Sequence, residues 1–407
     1  MDLNMLKVDE AQNLVLSFTS IMGKEKVDLL TSLARVIGED IIAPFDIPPW
    51  DNSAMDGYAV RFDDIKTASP ESPVSLRVID ELPAGSLPKN HLKAKEAIRI
   101  MTGAPLPPGA DTVVRKEDTI FSGDTVQILI APKKGENVRL TGENVKQGDK
   151  VISAGTLLRP PHIGMIASLG KSMVSVYQVP RVAILSTGDE VIDIDEKGDA
   201  SKIINSNTYS LAAQVKECGA LPILLGIARD NKTELREKLS QSLSAEVIIT
   251  TGGVSVGEYD FVKEIFEEMG IEVKFSKVAM RPGRPTTFGI MGEKLFFGLP
   301  GNPVSCMVCF EQFVRPALLK KMGHQKLFRP EIEAILEDDV ETKKNLRFFI
   351  RVRLVTKEGK IYATTTGDQG SGILKSMVKA DGLMVVPEDK TLVKAGEKVK
   401  VQLLTLN

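Results

Sequence analysis

The residue types best suited to chemistry are concentrated in Ile249-Thr250-Thr251-Gly252-Gly253-Val254-Ser255-Val256-Gly257-Glu258-Tyr259-Asp260. An apolar strand runs here into a glycine-rich turn and then into a helical pattern over 261–269. Glycines let backbone N–H groups converge on an anion at a helix N-terminus, where the dipole also favours negative charge. Gly252, Gly253 and Ser255 are therefore candidate phosphate ligands. No Gly-Lys-Ser/Thr follows, and the glycine spacing is not that of the dinucleotide fingerprint, so neither of those generic loops is present. Glu258 and Asp260 would repel a phosphate unless a cation intervened, and magnesium shared between carboxylate and phosphate resolves the conflict. Simple capping of the following helix is the other reading this segment leaves open.

A second strand-to-helix junction lies at Leu295-Phe296-Phe297-Gly298-Leu299-Pro300-Gly301-Asn302-Pro303-Val304-Ser305. Asn302 suits the N-cap and Pro303 the first helical position, which would place the Ser305 hydroxyl at the helix mouth beside free amides. Two such mouths on one parallel sheet both face its carboxyl edge, where open α/β folds bind ligands. One suits a phosphate, the other a small oxyanion. Lys277, Arg281 and Arg284 lie between them in a proline-restricted loop, and guanidinium forks bind tetrahedral oxyanions through several donors. Ordinary surface cations are the bland alternative. Glu190 follows the Val182–Leu185 strand and Asp230 the Pro222–Leu225 strand, so both can join Asp260 around one metal; as isolated residues they read as turn or cap positions.

These candidates need elements to hold them. The 407 residues exceed one ordinary core, and a formal net charge of -2 advertises no nucleic-acid or membrane partner. Asp2, Lys7, Asp9 and Glu10 interrupt the opening segment, and no later apolar run approaches the roughly 20 residues of a membrane span, so a cytoplasmic protein is expected. Cys306-x-x-Cys309 has redox spacing but sits in an apolar helical run, which reads as core packing. His91, His162 and His324 have no partners at zinc-ligand spacing.

Apolar residues recur at helical spacing over 8–20 and 27–37, before a proline-rich break. Short β-rich segments and turns fill 51–139. From Pro180 strand, loop and helix alternate, as in an open, mostly parallel α/β sheet. From Arg329 the β signal returns without helices, as in a small barrel. The expected division is a helical part (1–50 and 140–179), a mostly-β domain (51–139), a central α/β sheet domain (180–326) and a C-terminal β-barrel (327–407); that the first is a helical linker and dimerisation domain and the second is inserted in it is implied by the family resemblance of the segments that follow.

Five segments, taken together and in order, resemble one family. Ser53-Ala54-Met55-Asp56-Gly57-Tyr58-Ala59, Met101-Thr102-Gly103-Ala104-Pro105, Ser186-Thr187-Gly188-Asp189-Glu190, Thr250 through Gly257 and Gly298 through Ser305 are similar to molybdopterin molybdenumtransferases, the enzymes equivalent to the E domain of gephyrin. The resemblance runs essentially end to end. It implies a molybdopterin-binding central domain within an elongated homodimer, whose cleft takes the α/β domain of one subunit and the inserted domain of the other. It also implies insertion of molybdate-derived molybdenum into adenylylated molybdopterin with magnesium and release of AMP.

Carried across by position, the family's functional residues fall on Asp56 and Thr102, on Glu190, Asp230 and Asp260, on Ser305 and, as weaker matches, on Arg351 and Ser371. Glu190 and Asp260 would chiefly hold the metal. The family usually has lysine where this chain has Arg281, and commonly aspartate where it has Asn144. The resemblance makes a molybdopterin adenylyltransferase and apo-molybdoenzymes transient partners. Two competing functions are that adenylyltransferase activity itself, which shares a related α/β domain but does not need the segment bearing Ser53–Ala59, and a non-catalytic, gephyrin-like scaffold, against which the retained acids argue.

Overall fold

A computed structural model describes residues 5–229, 231–252, 265, 266 and 268–404. The chain divides into two compact units, one of residues 1–38, 155–159 and 173–407 and the other of residues 39–154 and 160–172.

In the first unit a six-stranded sheet runs in the order Leu221–Ala228, Arg181–Thr187, Val247–Thr251, Lys294–Leu299, Thr287–Met291, Glu272–Phe275. The first four strands are parallel and the last two fold back antiparallel. Alternation explains why these segments are apolar throughout. Val182 and Ile184 pack on one face against Leu211 and Val215 of the helix Asn207–Glu217, while Ala183 and Leu185 pack on the other against Leu235 and Leu239 of the helix Lys232–Ser242. From its first strand the chain crosses to one neighbour and then returns to the other. The switch point therefore falls between Arg181–Thr187 and Val247–Thr251, at whose carboxyl ends ligands bind in open sheets.

The helix Pro303–Cys309 continues through a π-turn, Phe310–Val314, into Arg315–Lys321. Glu311 in that turn is buried, and accepts hydrogen bonds from Arg329 Nε (2.9 Å) and Gln214 Nε2 (2.9 Å); Arg329 Nη2 also reaches Glu217 (2.8 Å). This network fastens the helical layer to the chain entering the barrel. The barrel closes five strands, Arg347–Lys357, Lys360–Thr365, Glu331–Leu336, Lys398–Leu403 and Gly382–Val386, the last pairing back to the first. Leu336, Val352, Met384 and Val401 fill it. Met280–Arg281 pairs parallel with Arg347–Phe348, carrying the cation-bearing loop onto the barrel.

Two sequence expectations are corrected. Residues 27–37 are not helical: Lys24–Asp28 is a strand antiparallel to Met173–Tyr177, followed by a 3-10 turn at Leu30–Ser32. Leu30 and Leu33, which supplied the helical period, are 81% and 47% exposed, while Val36 and Ile37 are buried at bridges to Leu157 and Val176. Long-range strand pairing overrides the local period. The C-terminal region also contains one short helix, Leu374–Val378, whose Ser376 and Met377 are buried.

The second unit is built on a six-stranded sheet, ordered Thr112–Arg115, Gly57–Val60, Glu96–Ile100, Val74–Leu82, Thr125–Ile128, Thr119–Ser122, with the short helix Phe62–Ile65. It is antiparallel except where Val74–Leu82 meets Glu96–Ile100. Among the described residues no helix is long and apolar enough to cross a membrane.

Candidate functional site

A cavity of 430 Å³ opens at the switch point, lined by Ser186 and Thr187, by Thr251 and Gly252, by Glu190 and Val191, by Ile203–Asn207, and by Pro285 and Pro300–Pro303. Gly252 has φ +92°, and a Cβ there would lie 2.4 Å from the Thr187 carbonyl oxygen. Only glycine allows the two strand ends to approach so closely. Asn207 Nδ2 donates to Thr251 Oγ1 (3.0 Å) and to the Gly301 carbonyl (2.7 Å), and Thr251 Oγ1 donates to the Pro300 carbonyl (3.2 Å). One amide thus stitches the two glycine-bearing turns together.

Glu190 is exposed at the rim, its carboxylate folded back over Gly188, where a Cβ would come within 2.6 Å of Oε2. Its turn is braced by cations acting on the backbone. Arg229 Nη1 donates to the Val191 carbonyl (2.8 Å), and Lys202 Nζ to that of Asp189 (2.8 Å).

The second junction departs from expectation. Asn302 holds the N-cap position but makes no capping bond with its side chain. The Val304 amide is not free; it donates to the Ser371 carbonyl of a barrel turn (3.1 Å). Ser305 is 4% exposed and lies beneath the mouth rather than among the residues lining the cavity. Cys306 and Cys309 are fully buried, as core packing requires. Cys306 Sγ donates to Thr251 Oγ1 (3.5 Å) and Cys309 Sγ to the Gly283 carbonyl (3.5 Å), and burial pushes the Cys306 thiol up to about 12.

The cationic loop Lys277–Pro285 borders a second cavity, of 560 Å³, whose lining includes Arg281, Pro282, Arg351 and Asp368–Gly370. Arg351 is 1% exposed. Its Nε donates to Ser376 Oγ (3.1 Å) and its Nη2 to the Gly370 carbonyl (3.2 Å). Burial pushes this guanidinium down to about 10, with Asp368 opposing, so it remains cationic at neutral pH. Gly283 has φ +106°, and a Cβ there would lie 2.3 Å from Cys309 Sγ. Arg281 and Pro282 line the second cavity while Pro285 lines the first, so one short segment borders both. Lys277 and Arg284 are exposed and line neither of these two cavities.

In the second unit, two turns 46 residues apart interlock. Asp56 Oδ1 accepts from the Thr102 amide (2.8 Å) and hydroxyl (2.7 Å), bonds that hold its carboxyl below the usual carboxylate value. Asn144 is exposed, and its amide donates to the Ile47 carbonyl (3.0 Å). Asp230, Gly253, Ser255 and Asp260 lie outside the described residues. Among the described residues no cluster of three His, Cys, Asp or Glu could hold a metal ion.

Sequence reasoning named Glu190, Gly252, Arg281 and Arg351 and read Cys309 as core; it quoted Thr187 within a motif but gave it no part in the cavity, and it missed Asn207. The signal available for Asn207 was its place at the start of a helix directly beyond the Glu190 turn.

Comparison with known proteins accounts for the chain end to end. Residues 6–170 match the family model described as MoeA N-terminal region (domain I and II), residues 183–320 the probable molybdopterin binding domain, and residues 333–404 the MoeA C-terminal region (domain IV). A molybdopterin molybdenumtransferase from Nostoc sp. is 39% identical over 395 residues, 96% of this chain and 91% of its own length. One from Bacillus subtilis is 36% identical over 404 residues, 98% of this chain and 94% of its own. The crystal structure of a molybdopterin biosynthesis moeA protein from Pyrococcus horikoshii superimposes with a TM-score of 0.84 at 34% identity, covering 98% of this chain and 100% of that one. A parallel sheet with its cavity at the switch point, a closed barrel bearing a buried arginine, and relatives alike over nearly their full length lead to one conclusion: the chain belongs to the molybdopterin molybdenumtransferase family, enzymes of molybdenum cofactor biosynthesis.

Proposed function

We propose that the chain inserts molybdenum from molybdate into adenylylated molybdopterin, with hydrolysis of the phosphoanhydride and release of AMP, as a cytoplasmic homodimer. The observation that carries this reading is the pair of cavities bordered by the Arg281–Pro285 segment, one without cations among its described lining and one holding two arginines. The substrate carries a dithiolene, a pyrophosphate and two fused nitrogen heterocycles, and molybdate must be brought to the dithiolene as an anion.

Magnesium fits the rim of the first cavity. Glu190 offers an exposed carboxylate there among oxygen donors, and magnesium typically binds one or two carboxylates together with substrate phosphates and retained waters. Asp260 is its proposed second carboxylate. When bound, the ion neutralises the pyrophosphate. The Gly252 amide is committed to the Leu299 carbonyl (3.3 Å), so orienting the phosphates falls to the amides of Gly253 and Ser255, while Asp230 or Asp260 positions the water. Its oxygen bonds to phosphorus as the bridging oxygen departs, and charge neutralisation matters more to that step than a strong base. Arg281 and Arg351 hold the tetrahedral oxyanion, with Lys277, Arg284, Ser305 and Ser371 around it.

Asp56 and Thr102 serve the partner protomer's site. The four-part division of the chain stated above belongs to this proposal, as do an adenylyltransferase that supplies the substrate and apo-molybdoenzymes that receive the product. The test is to incubate the protein with adenylylated molybdopterin, magnesium and molybdate, following AMP and the activation of an apo-molybdoenzyme. Molybdate-dependent AMP release should fall by about 100-fold in Glu190→Gln. A folded wild-type dimer that releases no AMP overturns the reading.

A further inference from the structure

On the edge of the first unit's sheet opposite the switch point, the chain encloses a third hollow. Glu246 immediately precedes the strand Val247–Thr251 and Lys294 begins the strand Lys294–Leu299, so both stand at the amino ends of parallel strands. Together with the segment Ser20–Gly23 and with Lys321, the last residue of the helix Arg315–Lys321, they border a cavity of 410 Å³. We infer that this cavity binds a small organic acid with one carboxylate, which docks on the Lys321 and Lys294 ammonium groups while its short apolar chain lies against Ile21, Met22 and Met291. The inference is independent of the reaction proposed above.

Lys321 carries the argument. It is 2% exposed, and lysine is almost never so buried unless it is paired. Among the described residues its ammonium has one acceptor, the Glu293 carbonyl (3.2 Å), which leaves two of three donors for a ligand. Burial lowers its pKa, with Glu293 and Glu246 opposing, and a carboxylate bound alongside offsets that cost. Lys294 is half-buried and likewise spends one donor on a backbone carbonyl, that of Ala245 (3.0 Å).

The charge balance specifies the ligand further. Glu246 is engaged elsewhere, since Arg181 Nη2 donates to its Oε1 (2.8 Å) and Arg181 Nε to its Oε2 (3.3 Å). Among the described lining residues the exposed Glu293 is then the one carboxylate without a cationic partner. Two ammonium groups against one free carboxylate leave a single positive charge. One carboxylate matches it, whereas a phosphate or molybdate dianion exceeds it. The rest of the lining suits a carbon chain: Ile21 is 52% exposed, Met22 and Met291 are half-buried, and methionine adapts to varied apolar shapes. Small-molecule sites combine such walls with a few placed polar groups.

Hexanoate is the probe. Isothermal titration of the full chain at neutral pH should show saturable hexanoate binding at one site, with 1-hexanol and sulfate at least about tenfold weaker. Lys321→Met keeps an apolar stem in the buried position, and hexanoate affinity should fall by at least about tenfold. Ile21→Glu, at an exposed position that leaves folding intact, should produce a similar loss by adding a carboxylate to the cavity, and Glu293→Gln should tighten binding by roughly threefold. Hexanoate that binds no better than 1-hexanol, or that keeps its affinity in both Lys321→Met and Ile21→Glu, would overturn the inference. Sulfate binding more tightly than hexanoate would overturn it too, because the charge match would then be wrong.

Discussion

The two cavities bordered by the Arg281–Pro285 segment are made in opposite ways. The cavity at the switch point is formed by strand ends, prolines and isoleucines, and its polar atoms are fixed by one asparagine amide that ties two turns together. The cavity at the barrel presents Arg281 and a buried Arg351 held by a hydroxyl and a carbonyl. The described lining of the first has no Lys, Arg or His; that of the second mixes Arg281, Lys343 and Arg351 with Asp339, Glu341 and Asp368. The difference teaches that one short segment can border a pocket lined without cations and another lined with several, provided its own conformation is fixed. Gly283 and Cys309 fix it here.

That contrast can be broken at its common wall first. Gly283→Ala would place a methyl group 2.3 Å from Cys309 Sγ in a left-handed backbone, so we expect a loss of about 3 kcal/mol in chemical denaturation, with both cavities impaired. A variant of wild-type stability would mean that the loop is not fixed by this contact. Next, Arg351→Gln should raise the molybdate concentration needed for half-maximal AMP release by on the order of tenfold to a hundredfold, with the KM for adenylylated molybdopterin unchanged. Parallel losses in both would show that the cavities are not separate in function.

Two smaller effects sharpen the picture. The Cys306 thiol, pushed up to about 12 by burial, carries almost no thiolate near neutrality. It should therefore resist an aromatic disulfide reagent in the native protein and react only on unfolding; rapid native-state labelling would restore a redox reading. Asp56 is held below the usual value of 3.8 by its bonds to Thr102. Because the folded value is the lower one, the stabilisation is present in full above the ordinary carboxylate range and is lost only as pH falls through the folded value. The Thr102 amide resonance should thus stay constant from neutrality down to mildly acidic pH and move below 3.8. Movement at higher pH would contradict the pairing.

How much of this was legible in the sequence depended on whether the cause was local. The parallel strands were readable because burial on both faces demands continuous apolar runs such as Val182–Leu185. Glu190 and Gly252 were readable because strand ends and glycine turns mark the ligand-binding edge of such a sheet. The stretch 27–37 was misread because Lys24–Asp28 is defined by a partner strand almost 150 residues away, Met173–Tyr177, which no local period reveals. Asn207 escaped notice for a related reason: its role depends on Gly301, 94 positions distant. Arg351 was suggested by family likeness alone, and its burial in the barrel has no signature in the surrounding residues. The supposed free amide at Val304 failed because its acceptor arrives from the barrel.

That last bond has a consequence in time rather than in space. The first amides of a helix have no acceptor within it, so their protons ordinarily exchange readily with solvent. Val304 borrows the Ser371 carbonyl, and its proton can exchange only when that barrel turn lifts away. The exchange rate of this one amide is therefore a clock for the turn, counting how often the barrel lets go of the helix beside the site.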